Sequence, residues 1–118
     1  MALKPIGNNP DLHYHLLREG QIDEFNTIKR KGEKIDLTDC DFRGLDLRGV
    51  DLAGLDLSGC FFRQSDLRGI DFSHTHLEGA SLYGAKVSGT YFPMELSPEE
   101  ITLSLTHGSR MRYRNTRG

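Results

Sequence analysis

Residues 35–94 decide the fold, and in groups of five they read IDLTD, CDFRG, LDLRG, VDLAG, LDLSG, CFFRQ, SDLRG, IDFSH, THLEG, ASLYG, AKVSG and TYFPM. The third residue of every group is apolar, and the first is apolar or small. Residues two apart in an extended segment point to the same side, so each group directs this pair toward one side of the chain. The pattern therefore predicts a buried pair of residues in every group.

Neither a regular helix nor a straight strand keeps these pairs on one face. In a helix, successive third residues are rotated by about 140°, because each residue turns the chain by about 100°. In a straight strand, a repeat of odd length sends alternate groups to opposite faces. Glycine closes eight of the twelve groups and permits the positive φ of a tight bend. We therefore expect the chain to bend at each group and to wind into a solenoid whose turns bury their apolar residues against each other.

This run resembles the pentapeptide-repeat proteins, whose usual unit is A(D/N)LXX, and it is similar to the small bacterial members of that family. The resemblance implies an all-β solenoid: a right-handed quadrilateral parallel β-helix with four pentads per coil and about three coils in residues 35–94. Larger residues mostly replace the usual Ala at the first position, and Asp before the centre is absent after Asp71. With four pentads per coil, residue n stacks on residue n+20, about 4.8 Å away along the axis.

The central residues of the twelve pentads form the predicted structural core. We expect all of them to face the axis of the coil, where side chains pack at the density of other protein interiors. They are Leu37, Phe42, Leu47, Leu52, Leu57, Phe62, Leu67, Phe72, Leu77, Leu82, Val87 and Phe92.

The segments on either side of the repeat are predicted to cover its two ends. An open end of a solenoid exposes a bare strand edge and an apolar layer, which short helices can cover. The resulting division is an N-terminal helical cap at 1–34, the β-helix at 35–94, and a C-terminal helix with a basic tail at 95–118.

Three helices are predicted in these caps. Asn9 is a candidate N-cap for the first helix, and the second covers about residues 21–31. The third begins at the N-cap Ser97, with Glu100 placed to close a capping box, and it ends at Gly108. The basic tail that follows is compatible with a short strand, with packing over the last coil, with an acidic partner, or with a frayed end.

Composition predicts a cytoplasmic protein that binds neither membranes nor nucleic acid. The formal net charge is −2, and the repeat carries nine acids and five bases, whereas duplex binding needs a basic face. No early segment combines a basic start with an apolar run, so we expect no signal peptide, and no segment is long enough to span a membrane. Two cysteines are too few for the disulfide framework of a small secreted protein.

The cysteines and histidines are candidate metal ligands, but structural roles explain them better. Cys40 and Cys60 stack as neighbours in a coil of twenty residues, and the alternatives are a disulfide, a metal pair or two buried thiols. We favour buried thiols, because parallel side-chain directions and a reducing compartment both disfavour a bridge. His74 and His76 lack the two further ligands that zinc requires. We therefore predict no metal and no cofactor.

Any contact with a partner is expected to involve the side chains at the outward-facing positions of the repeat. Early pentads alternate Asp before the centre with Arg after it, and one interpretation is a solvated surface whose charges neutralise each other. The other interpretation is a binding face, because an aromatic residue replaces Asp close to two arginines, a composition typical of interaction hot spots. The candidate protein-binding surface consists of Arg43, Phe61, Arg63 and Tyr83.

The sequence contains no nucleophile with an evident base and no phosphate-binding glycine loop, so we predict no catalytic residues. We expect a non-catalytic interaction or scaffold module that presents rigid β-helix faces to another protein. The resemblance also implies an alternative, because some family members are DNA mimics that bind gyrase, a type II topoisomerase. Three coils rise only about 14 Å, however, against about 34 Å for one turn of DNA. A further alternative is an end-to-end structural protein or homodimer that pairs through the C-terminal helix, as those members do.

Overall fold

The computed structural model describes residues 10–114, which contain three short helices outside the repeat. Helix α1 is Pro10–Arg18, helix α2 is Ile22–Arg30, and helix α3 is Pro98–His107. The first two lie in the predicted N-terminal cap and the third in the C-terminal one. The candidate N-cap Asn9 lies outside the described residues. Within the described part of the chain, no helix has the length and apolar character needed to cross a bilayer.

The repeat between α2 and α3 returns to the same lateral position every twenty residues. Its parallel bridges join residue n to residue n+20, so each coil consists of four pentads, which is the register expected from the resemblance described above. The bridged columns are Asp41–Phe61–Ser81, Asp46–Asp66–Lys86, Asp56–His76 and Asp71–Tyr91.

Backbone hydrogen bonds connect successive coils in a recurring set. The Phe61 N–H donates to the Cys40 carbonyl over 2.9 Å, and the Phe42 N–H donates to the Phe61 carbonyl over 2.7 Å. The Gly44 N–H donates to the Arg63 carbonyl over 2.9 Å. Over residues 10–114 the bridges are isolated, and no strand of several residues forms. The predicted strands shorten to single bridged residues because the chain changes direction at a tight corner in every pentad.

The corners of the coil are tight turns that contain a positive φ. Across one corner the Val50 N–H donates to the Leu47 carbonyl over 3.1 Å, and Gly49 within it has a φ of 85°. Gln64 occupies the same place in its pentad with a φ of 57°, although it carries a side chain. The left-handed conformation costs a residue with a Cβ atom roughly 1–2 kcal/mol. Gln64 is held in it by the next coil, since its N–H donates to the Tyr83 carbonyl over 2.8 Å.

The pentad centres form one continuous core. Ten of the twelve predicted core residues are buried, and the other two, Val87 and Phe92, are half-buried. Both of these lie in the last coil, which has no further coil stacked on it. Leu57 has no exposed surface, whereas Asp51 and Asp71 on the outer side of the coil face solvent.

A row of aromatic rings runs through this core. The ring centroids of Phe42 and Phe62 are 5.5 Å apart, those of Phe62 and Phe72 are 5.9 Å apart, and those of Phe72 and Phe92 are 6.1 Å apart. Tyr14 of α1 extends the row, with its ring 5.6 Å from that of Phe42. Burying one side chain of this size stabilises the fold by about 1.5–3 kcal/mol, so the row is a large contribution to stability.

Side chains of α1 and α2 cover the open edge of the first coil. The Asn26 side-chain amide donates to the Gly49 carbonyl over 2.9 Å, and its oxygen accepts the Asp51 N–H over 2.8 Å. The Tyr14 hydroxyl donates to the Asp41 carbonyl over 2.6 Å. These contacts take the place of a preceding coil, because they satisfy backbone groups that no earlier pentad can reach.

The tail packs over the last coil, which is one of the arrangements open from the sequence. Met111 is fully buried, and its backbone N–H and carbonyl both form hydrogen bonds with the last coil. Its carbonyl accepts the Gly79 N–H over 2.7 Å, and its N–H donates to the Ala80 carbonyl over 2.8 Å. Further along, the Arg114 N–H donates to the Glu95 carbonyl over 2.9 Å.

Two side-chain oxygens complete the closure of this edge. The Ser104 hydroxyl on α3 accepts the Leu82 N–H over 2.9 Å, and the Tyr113 hydroxyl accepts the Leu77 N–H over 2.9 Å. In the earlier coils the equivalent N–H groups donate to backbone carbonyls of the next coil. Residues 104–113 therefore act as an irregular substitute for a further coil.

Helix α3 begins and ends where the sequence predicts, but its capping differs. The Ser97 hydroxyl accepts the Glu100 N–H over 3.1 Å, and the helix ends at Gly108, which has a φ of 77°. The Glu100 carboxylate accepts the Arg112 N–H over 3.0 Å and its guanidinium over 3.0 and 3.1 Å. The predicted capping box is therefore wrong in its second half, because the tail brings a charged donor to Glu100.

Candidate protein-binding groove

In several pentads, the Asp before the centre forms an ion pair with the Arg after it. Asp41 Oδ1 accepts the backbone N–H of Arg43 over 3.1 Å. The Arg43 Nε then donates to both oxygens of the same carboxylate over 3.0 and 2.9 Å. The arrangement recurs at Asp46–Arg48 and at Asp66–Arg68.

The side chains of Asp46, Arg48, Asp66 and Arg68 form a closed network, called here the Asp66 face. Arg48 lies 2.7 Å from Asp46 and 3.4 Å from Asp66, and Arg68 lies 2.7 Å from Asp66. Hydrogen bonding from the Arg68 side chain lowers the pKa of Asp66, and hydrogen bonding from Arg48 lowers the pKa of Asp46. Each charge on this face already has a partner, so the face offers little to another charged molecule.

Phe61 interrupts this pattern, because it occupies the position where the neighbouring pentads have Asp. Arg63, two residues later, has no carboxylate within ion-pair distance in residues 10–114. Its guanidinium lies over the Tyr83 ring instead, with Cζ 4.8 Å from the ring centroid. A cation–π contact at an exposed site is worth about 0.5–1 kcal/mol. It orients the guanidinium without cancelling its charge.

The four residues predicted as a binding surface line a single groove with a volume of about 360 Å³. They lie in two adjacent columns of the coil, one before and one after the pentad centres. Tyr83 is 37% exposed, so its ring is accessible from the groove. The groove is lined by Arg43, Phe61, Arg63 and Tyr83 together with Asp41, Ser81 and Gly108.

Arg110 lies beside the groove, against Phe61, and was not part of the predicted binding surface. Its guanidinium lies over the Phe61 ring, with Cζ 4.8 Å from the centroid, and its Nη1 donates to the Gly79 carbonyl over 3.1 Å. The tail reaches this position because the neighbouring Met111 is buried against the last coil. The alternation of apolar and basic residues in the tail was the available signal, since it predicts one face directed inward and a basic face directed outward.

A second groove of about 360 Å³ continues from the first toward α1. Its lining includes Arg18 and shares Asp41, Arg43 and Arg63 with the first groove. Asp41 is the one acidic residue in either lining. The surface that joins both grooves is called here the arginine strip, and its cations are Arg18, Arg43, Arg63 and Arg110.

Comparison with protein-family models identifies the repeat. The model described as "Pentapeptide repeats (8 copies)" matches residues 33–64 and 56–92, which together span more than half of the chain. The chain belongs to the pentapeptide-repeat family. Pentapeptide-repeat proteins are typically protein-interaction modules. Searches of curated proteins and of solved structures found no match.

In this pentapeptide-repeat protein, the groove is centred on two departures from the repeat pattern. Phe61 replaces the usual Asp or Asn, and Gln64 replaces the glycine that closes most of the pentads. Both departures lie in the same pentad, 60–64, so the most irregular unit on this side of the coil is also the one that borders the groove.

The thiols lie on the inner side of the coil and are not joined by a disulfide. Cys60 is fully buried and its Sγ donates to the Leu37 carbonyl over 2.9 Å, whereas Cys40 is half-buried. Burial raises the pKa of the Cys60 thiol to about 12.

His76 packs its ring 5.0 Å from that of Tyr113. In the portion of the chain that the structure describes, no group of three or more His, Cys, Asp or Glu residues is arranged to hold a metal ion.

Proposed function

We propose that this pentapeptide-repeat protein is a non-catalytic protein-interaction module whose contact surface is the groove of Arg43, Phe61, Arg63 and Tyr83. The observation that carries the proposal is Arg63, a cation without the Asp that pairs with Arg in neighbouring pentads, lying over the Tyr83 ring at 4.8 Å. Arginine and aromatic residues dominate interaction hot spots. The usual role of the family supports the same proposal.

We propose that the scaffold of this groove is a right-handed, four-sided β-helix. Membership of the family and the parallel bridges at twenty-residue spacing support it. Such a coil spaces stacked side chains by about 4.8 Å and holds them on a packed core. A contact surface fixed in this way loses little conformational entropy when it binds, which favours affinity.

The chemistry of the groove supports a binding role over a catalytic one. Arginine stays protonated at every physiological pH, and the carboxylate of Asp41 is occupied by Arg43 at 2.9 Å. General acid–base catalysis works best with a group that titrates near the operating pH. Arginines along the coil also weaken the DNA-mimic alternative, since imitating a duplex requires unbroken negative charge. A cytoplasmic location and pairing through α3 stay predictions.

Site-specific photo-crosslinking in cells that produce the protein tests this function. p-Benzoylphenylalanine in place of Tyr83 should give a crosslinked product with another protein, and adding Arg63→Gln should remove that product. The matched control places the same crosslinker at Ser88, which is exposed and lies above Arg68 on the Asp66 face. Equal products from both positions, or no product from Tyr83, would contradict the proposal.

A further inference from the structure

Resting on the proposed function, we infer the chemical class of the partner: the groove binds an acidic peptide segment of another protein. A carboxylate of Asp or Glu in that segment pairs with Arg63, and an adjacent apolar side chain lies against Phe61 and Tyr83. Three observations on charge, free donors and accessible ring surface lead to this assignment.

The charge of the arginine strip differs from that of the rest of the repeat. The two groove linings carry three arginines and one carboxylate, Asp41, which is already bound by Arg43, and Arg110 adds a fourth cation over Phe61. Residues 35–94 as a whole carry nine acids and five bases. Arginines therefore outnumber carboxylates along this stretch of the surface, which suits a short anionic segment. A long polyanion such as nucleic acid would meet exposed carboxylates such as Asp46 and Asp71 beside it.

The free donors are at the centre of the strip. A guanidinium has five N–H donors in a planar fork that matches a carboxylate with two parallel hydrogen bonds. In the described residues, no hydrogen bond of the Arg63 guanidinium is formed, while Arg110 uses its Nη1 for the Gly79 carbonyl. The Tyr83 ring keeps the Arg63 side chain in place, so a carboxylate meets a cation that is already oriented.

The apolar part of the groove selects a peptide over a simple anion. Phe61 is half-buried and Tyr83 is 37% exposed, and each has a guanidinium on its ring. The volume of about 360 Å³ lies near the lower end of the range for ligand sites, enough for two or three side chains. An acidic residue next to a Leu, Ile or aromatic residue satisfies both the charge and the ring surfaces.

Selection of peptides on the full chain tests the inference. Displayed random heptapeptides are selected on the immobilised protein, and we expect enrichment of sequences in which Asp or Glu adjoins an apolar residue. The best sequence and its Glu→Gln or Asp→Asn version are then synthesised with a fluorophore and titrated by fluorescence polarisation. Affinity should fall about tenfold for the amide version, and about tenfold when the protein carries Arg63→Gln.

Arg48→Gln is the matched control variant, because Arg48 belongs to the closed network of the Asp66 face. It should change the affinity by less than about twofold. Urea denaturation of both variants checks that they remain folded. Enrichment without any preference for acidic residues, equal losses from both variants, or Arg63-dependent binding of a labelled DNA duplex tighter than that of the peptide would each overturn the inference.

The two proposals fail in distinguishable ways. A crosslink at Tyr83 together with selected peptides that lack acidic residues leaves the interaction role standing and removes the acidic partner. The absence of any crosslink at Tyr83 removes the interaction role itself.

Discussion

Two successive pentads, CFFRQ at 60–64 and SDLRG at 65–69, share a buried centre and an exposed arginine, yet they present opposite surfaces. In the second, Asp66 holds Arg68 at 2.7 Å. In the first, Phe61 stands in the Asp position, and the arginine turns to the Tyr83 ring instead. One substitution therefore converts a self-contained ion pair into an available cation beside aromatic surface. Under the proposed function, this departure from the repeat pattern marks the place where a partner binds.

The largest expected effect comes from a substitution in the core that supports both pentads. Phe62 has no exposed surface and lies between the Phe42 and Phe72 rings, so Phe62→Ala should lower the free energy of unfolding by about 3–5 kcal/mol. Urea denaturation measures it. Tyr91→Ala is the control, because that ring is 68% exposed and its loss should cost less than about 0.5 kcal/mol. A similar cost for the two variants would show that the aromatic row is not the core that supports both surfaces.

Phe61→Asp erases the difference between the two pentads and has the next largest effect. The new carboxylate should pair with Arg63, as Asp66 pairs with Arg68, and weaken binding of the selected acidic peptide at least tenfold, or about 1.4 kcal/mol. Fluorescence polarisation measures the loss. Ser88→Asp adds the same charge outside the groove and should leave the affinity nearly unchanged. Undiminished binding by Phe61→Asp would mean that the cation is not what the peptide recognises.

A third prediction concerns the corners that close the two pentads. Gly69 has a φ of 77°, and no atom lies within 4 Å of the position that a Cβ would occupy. Gly69→Gln should therefore destabilise the fold by about 1 kcal/mol through backbone strain alone. Gln64→Gly should raise the free energy of unfolding by a smaller amount. Glycine removes the strain of the 57° φ, but it also gives the unfolded chain more conformational freedom, which offsets part of that gain. Urea denaturation of the pair measures both. Destabilisation by Gln64→Gly would show that its side-chain packing outweighs the strain.

The smallest expected effect is a difference in acid sensitivity. The pKa of Asp66 is lower in the folded protein than in the unfolded chain, so the unfolded state binds more protons in acid. The resulting stability is present above about pH 4 and is lost as the pH falls toward the folded pKa. Asp66→Asn should make the melting temperature fall less steeply between about pH 5 and 2. Phe61→Leu changes no titrating group and should keep the wild-type slope, and equal slopes for all three proteins would contradict the account.

The core could be predicted because it follows from a local rule, whereas the register rests on the family resemblance. A five-residue spacing of apolar centres with glycine after most of them fixes where the chain bends, and the burial of Leu57 is a consequence of that rule. The resemblance implies four pentads per coil, and the bridge from Asp41 to Phe61 has the register expected from it. The length of the pairing was not predicted, because it depends on how many residues each corner consumes.

Four residues of the groove could be predicted from the sequence, whereas the position of Arg110 could not. Arg43, Phe61, Arg63 and Tyr83 lie together because residues twenty apart stack, as the four-pentad coil implied by the family resemblance requires. The place of Arg110 over the Phe61 ring depends on how the tail docks on the last coil, and no periodicity governs that segment. Tertiary packing of an irregular segment decided that contact.

Because residues 104–113 close the last coil, the edge of that coil stays uncovered until this segment has been synthesised. Earlier coils can pair in order as they leave the ribosome, but the Leu77 and Leu82 N–H groups find their acceptors only after Tyr113 and Ser104 have emerged. At about 5–20 residues per second, translation leaves that rim open for some seconds on every nascent chain. During this interval a neighbouring polypeptide can pair with it. An uncovered edge of this kind can pair with another chain, and residues 104–113 remove it once they dock on the last coil.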